Sequence, residues 1–180
     1  DAWHRHAFRS DREHGERRRT RISRALVLNR AILEIARNPL LLTLLCLLNR
    51  GQELPRRRHQ VFQKVLELLA DQWEANKDLT HDAPELALDD KLLYLRKLGW
   101  AMQQDEWEGS SGNRLSSEEL ERFSCEFAQE SLGLEPDAAR RWAESLIADL
   151  STRNQVLSSL GGGQFGFLHR ALLEHLAAEG

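Results

Sequence analysis

Between Pro39 and Leu48 the chain runs ten residues with a single polar side chain, Thr43. A helix with so complete an apolar surface has no face to offer water, so it must lie near the centre of a domain. The run is about half the length of a membrane span, which makes it a core helix and gives no reason to expect a membrane partner. Its start is signalled twice. Proline disfavours helical geometry in the residue before it and suits the first helical position, and asparagine is a strong N-cap. Asn38-Pro39 therefore separates a helix ending at Arg37 from one starting at Pro39, and Gly51 is placed to cap its far end.

The flanking segments supply partners for that helix. Residues 16 to 37 carry Ile22, Leu26, Leu33 and Ile35–Ala36 at helical spacing and predict one helix. Pro55 opens another, to about Ala75, with Val61, Phe62, Val65, Leu66, Leu69 and Trp73 along one side. Arg56, Arg57 and Arg58 fall in its first turn. Positive charge there opposes the helix dipole at a cost of a few tenths to about 1 kcal/mol; three solvated arginines explain it more simply than an anion site. Residues 76 to 87 are polar and rich in turn formers, so the domain boundary is placed there: 1–80 is a helical domain and 81–180 a second domain.

In the second domain, Leu88, Leu92, Leu95 and Met102 mark a helix ending near Gln104, and residues 105 to 114 read as a loop. Ser116 with Glu119 makes a capping box for a helix through Leu132, which Gly133 closes. Pro136 opens the next helix, reaching Thr152, buried through Trp142, Leu146 and Leu150. Then the period changes. Gln155 to Leu160 and Gln164 to Leu168 read as strands around Gly161-Gly162-Gly163, and a last helix runs from near His169 to Ala178. The expected fold class is mainly α: a helical bundle domain followed by a winged-helix domain with one short β-hairpin.

Hydrophobic residues at 41% and charged residues at 29% place the chain among folded proteins. The net charge of -3 argues against nucleic acid as a partner. Residues 1 to 30 do hold nine Arg against four Asp or Glu, which a solvated helix face of both signs accounts for. Cys46 and Cys125 sit in apolar helical patterns with no metal-ligand spacing, as lone thiols of a reducing cytoplasm would. The polar start, Asp1 to Ser10, is no signal peptide. The chain lacks an initiator Met and begins in mid-pattern, so a fragment of a longer protein is expected.

Catalytic signatures are missing. There is no GxxxxGK[ST] phosphate cradle, no GxSxG and no HExxH. His169 and His175 are six apart and point to different helix faces, so no metal site is read there. His4, His6 and His14 lie in a polar start that suits solvent better than a metal. No catalytic or metal-binding residue is expected.

Two stretches carry a resemblance. The first is Ala36-Arg37-Asn38-Pro39-Leu40-Leu41-Leu42-Thr43-Leu44-Leu45-Cys46-Leu47-Leu48, with Leu54-Pro55-Arg56-Arg57-Arg58 and Val65-Leu66-Glu67-Leu68-Leu69 ahead of Trp73. It is similar to the helical domain that follows the nucleotide-binding core in NACHT NTPases, members of the STAND class of signalling ATPases that includes NOD-like receptors and bacterial defence proteins. The second is Phe165-Gly166-Phe167-Leu168-His169-Arg170, then Glu174 and Leu176-Ala177-Ala178. It resembles the end of the NACHT winged helix. The chain departs from that pattern at Leu173, where the family has Gln, and at His175, where it has an aromatic.

The resemblance implies a regulatory half of a signal-transduction ATPase that binds ADP or ATP, with magnesium held by a missing P-loop half. Pro39 matches the proline that packs on the nucleotide base, and His169 the histidine that reaches the β-phosphate of ADP. The implied partners are the N-terminal nucleotide-binding domain of the same chain and, on activation, further copies of the protein. Read from the residues alone, a helix-capping role is the favoured account of His169, and helix initiation already explains Pro39. Two other readings stay open: a DNA-binding winged-helix regulator and a helical protein-interaction scaffold. Arg140 and Arg141 on the candidate recognition helix face Asp137, Glu144 and Asp149 in the same segment, which makes a poor phosphate-binding face.

Overall fold

The computed structural model describes residues 12–71, 87–104, 113–153 and 156–180. Trp73, His4, His6, Gln155, residues 105–112 and all of the expected boundary segment except Ala87 lie outside the described residues. The chain forms two compact units, which divide between Val65 and Leu66. Among the described residues the structure is mainly helical, with eight α-helices and one small antiparallel sheet.

The first unit contains α1 (Arg12–Leu28), α2 (Arg30–Ala36), α3 (Pro39–Gly51) and the start of α4 (Arg58–Asp71). The single helix predicted over 16–37 is two helices. Asn29 breaks it: its backbone is extended, and its Oδ1 accepts the Ala31 and Ile32 amides at 3.0 and 3.4 Å. Its Nδ2 donates to the Arg56 carbonyl at 2.7 Å. A capping asparagine offers the backbone an alternative to continuing the helix, and the bond to Arg56 fixes that alternative.

At the next junction the expectation holds. Asn38 caps α3 by accepting the Leu41 amide at 3.1 Å, and Pro39 takes the first helical position. Leu41, Leu44, Leu45, Cys46 and Leu48 are buried, while Pro39, Thr43 and Arg50 reach solvent, so α3 is nearly but not wholly enclosed. The helix continues through Gly51, and the cap is Gln52. The next helix starts at Arg58, three residues beyond Pro55. Arg58 stacks its guanidinium over the Phe62 ring, 5.4 Å from the centroid, which offsets part of the charge conflict at this helix start.

The second unit holds α5 (Leu88–Gln103), β1 (Leu115–Ser116), α6 (Ser117–Leu132), α7 (Pro136–Ala148), β2 (Leu157–Gly161), β3 (Gln164–Phe167) and α8 (Arg170–Ala177). The sheet has three strands in the order β1-β3-β2, every pair antiparallel, where the sequence predicted only the hairpin. A two-residue strand is invisible to periodicity. β1 exists because Leu115 pairs with Phe165, fifty positions on. Beside it, Asn113 imitates a strand: its side chain accepts the Phe167 amide and donates to the Phe167 carbonyl, both at 2.9 Å.

The hairpin turn is as expected. Gly161, Gly162 and Gly163 have φ of 86°, 61° and 70°, which side chains larger than hydrogen resist. Gly166 serves packing instead: a Cβ there would collide with the Asn113 carbonyl oxygen. The capping box is complete, with Glu119 N–H to Ser116 Oγ at 3.2 Å and Ser116 N–H to Glu119 Oε2 at 2.7 Å. Gly133 ends α6 in the left-handed conformation. The helix predicted to reach Thr152 instead widens into a π-type turn over Asp149–Arg153. There Ser151 and Thr152 donate their hydroxyls to the Ile147 and Ala148 carbonyls, competing with the regular ladder.

The core of this unit is mostly leucine and alanine around one aromatic cluster. Tyr94 lies 5.3 Å from Phe127, 5.7 Å from Phe123 and 6.0 Å from Trp142 between ring centroids. Gly99 lets α5 and α8 approach closely: a Cβ on it would sit 3.0 Å from the Leu176 Cβ.

Candidate functional site

Pro39 belongs to the first unit and His169 to the second. Pro39 presents an exposed ring at the start of α3, where a flat apolar group could rest on it, but it contributes no polar atom. His169 follows β3 directly and caps α8. Its Nδ1 accepts the Ala171 amide at 3.0 Å, and its carbonyl accepts the Leu172 amide at 2.9 Å. An accepting Nδ1 is unprotonated, so the neutral ring carries its proton on Nε2. The histidine is thus a cap and, at the same time, a ring locked in the tautomer that donates from Nε2. Arg170, next in sequence, pairs with Glu174 one helical turn on at 2.9 Å.

A polar cluster that sequence reasoning missed lies at the far end of α3. Asn49 is completely buried. Its Oδ1 accepts Arg21 Nε at 2.7 Å and its Nδ2 donates to the Arg18 carbonyl at 2.8 Å. Its own carbonyl accepts from the guanidinium groups of Arg18 and Arg21, and Arg21 reaches the Gln52 carbonyl at 2.9 Å. Every bonding group of the Asn49 side chain's amide plane is therefore tied to α1. Burial and the neighbouring Arg18 pull the Arg21 pKa down, and Glu53 opposes them. These two arginines are clamps, not members of a solvated face. The one signal was Asn49 itself, a polar residue closing an apolar run.

Cys46 is buried and Cys125 half-buried, and burial pushes both thiols up, away from the reactive thiolate. Among the described residues no group of three or more His, Cys, Asp or Glu is placed to hold a metal ion. None of the described helices is long and apolar enough to cross a membrane. No protein-family model, curated protein or solved structure matches the chain.

Proposed function

We propose that this chain is the regulatory part of a NACHT-type signalling ATPase, a helical domain followed by a winged helix. The observation that carries the reading is the order of elements in the second unit. A helix, a short strand, two helices and a hairpin follow one another, and the first strand pairs onto the returning arm of the hairpin. That order is what a winged helix would require and so supports the reading, as does His169, which follows β3 at the start of α8.

The residues are chemically suited to ADP. Pro39 offers an exposed apolar surface for a base, and the tautomer of His169 makes Nε2 a donor for phosphate oxygen. A donor of this kind on a separate domain acts as a latch. It holds ADP only in the closed arrangement, so ADP binding and closure are linked and loss of ADP favours opening and assembly. The nucleotide's phosphates and its magnesium belong in this reading to an upstream P-loop domain.

The test is His169→Ala in the full-length protein. Losing a charge-assisted hydrogen bond to phosphate weakens ADP binding by roughly 10- to 150-fold. The variant also assembles without its trigger. Removal of a cap that has no other role gives a different result: ADP affinity unchanged while the melting temperature falls. That outcome overturns the latch.

A further inference from the structure

The turn between α1 and α2 and the chain leading into α4 enclose a hollow of about 550 Å³. Its charged wall holds Arg21, Arg24 and Arg56 against one carboxylate, Glu53. Arg21 is committed to Asn49 and Gln52, and Glu53 acts on it electrostatically. Arg24 and Arg56 are different. Both are exposed, and among the described residues neither guanidinium has a hydrogen-bond or ion-pair partner. Two uncommitted guanidiniums at one hollow form an electrostatic funnel for carboxylate or phosphate oxygens.

The rest of the wall is Asn29 and the aliphatic Ala25, Leu28 and Leu54, with Ile32 buried behind them. Leu28 is 71% exposed and Val27, beside it, 82%, the two most exposed large apolar side chains among the described residues. Exposed aliphatics next to uncommitted arginines suit a ligand that brings acidic and apolar groups together. They do not suit a nucleic acid, which would need a longer basic track and flat stacking partners.

We propose that this hollow is a docking site for an acidic segment of a partner protein, its carboxylates meeting Arg24 and Arg56 and an aliphatic side chain resting on Leu28 and Leu54. The site is independent of any nucleotide. The test is fluorescence anisotropy on the 180-residue chain with three labelled probes: a short peptide of glutamate and leucine, one of glutamate and serine, and a single-stranded oligonucleotide of equal charge. The glutamate–leucine peptide binds best. Arg24→Glu with Arg56→Glu weakens it by more than roughly tenfold, and Leu28→Ser weakens it by several-fold. Arg140→Glu with Arg141→Glu changes net charge equally at exposed positions of the second unit and leaves binding unchanged. Arg24→Gln with Arg56→Gln reproduces the loss with less perturbation of the fold. Equal loss from the two charge-reversal pairs overturns the proposal, because general attraction then explains the binding. So does tighter binding of the oligonucleotide, or equal binding of both peptides.

Discussion

Asn49 in the first unit and Tyr94 in the second are both fully buried polar side chains, yet the two surroundings handle them in different ways. Asn49 closes a leucine-rich helix and is bonded on both sides of its amide by Arg18 and Arg21. Tyr94 lies among rings and has one hydrogen-bond partner in Ser124, at 2.8 Å. Ser124 gives its own proton to the Leu120 carbonyl at 2.6 Å, so Tyr94 is the donor to Ser124. The first unit thus closes its aliphatic core with a charged clamp at its rim. The second places a single neutral bond inside an aromatic cluster. The first arrangement spreads its polar energy over several charge-assisted bonds, and the second sets one neutral bond beside edge-to-face ring contacts.

The largest effect is expected where the aliphatic core is most uniform. Leu44 is 5% exposed. Leu44→Asp buries a carboxylate without a partner and should cost about 4 kcal/mol or more, enough to unfold a small unit. Native-state hydrogen exchange separates the regions: protection of α3 amides should collapse. If α3 keeps its protection, the helix is not the core of its unit.

Next is the clamp itself. Asn49→Ala removes two side-chain bonds, one of them to a guanidinium, and leaves Arg21 Nε half-buried without its acceptor. The expected loss is about 2–4 kcal/mol in α3 protection. Tyr94→Phe removes one neutral bond and leaves Ser124 bonded to Leu120, so α6 should lose only about 1 kcal/mol. Equal losses at the two sites would break the contrast between clamp and aromatic cluster.

Alkaline pH sharpens that contrast. Burial pushes the Tyr94 phenol well above its ordinary value of 10.0, and the bond to Ser124 pulls weakly the other way. Above pH 10 the unfolded chain gives up this proton while the folded chain keeps it. The stability contribution is therefore complete below pH 10 and falls as pH rises through that value, by about 1.4 kcal/mol per pH unit. Denaturant midpoints measured at pH 9 and pH 11 should diverge for the parent and much less for Tyr94→Phe. A parallel fall in both would mean that another group carries the alkaline loss.

The parts of this fold that could be read from sequence are those whose cause lies within a few residues. Asn38-Pro39, the Ser116–Glu119 box, Gly133 and the glycine turn each act over four positions or fewer, and each is where local chemistry puts it. What escaped depends on partners far along the chain. Asn29 interrupts an apolar pattern because Arg56 accepts its amide. β1 forms because Phe165 lies opposite, and Gly99 and Gly166 are needed because Leu176 and Asn113 approach them. The candidate site divides likewise. Pro39 and His169 entered through a resemblance. The Nδ1 cap that sets the ring's tautomer became visible only in the structure, as did the hollow with Arg24 and Arg56.

The smallest predicted effect concerns how the two units start their helices. α3 begins with a lone capping side chain, Asn38, together with Pro39, whereas α6 begins with a reciprocal box in which Ser116 and Glu119 satisfy each other. Asn38→Ala leaves the Leu41 amide without its acceptor and should cost about 1 kcal/mol. Asn38→Gly should cost only a few tenths, because glycine admits the extended cap geometry and lets water reach the exposed amides. Ser116→Ala should cost more than Asn38→Ala, since Glu119 then loses the geometry that holds it against the Ser116 amide. Exchange rates of the first-turn amides of α3 and α6 measure the three substitutions on one scale. If Asn38→Gly is as damaging as Asn38→Ala, the Asn38 side chain holds more than a cap, and α3 is fixed at both ends by asparagine.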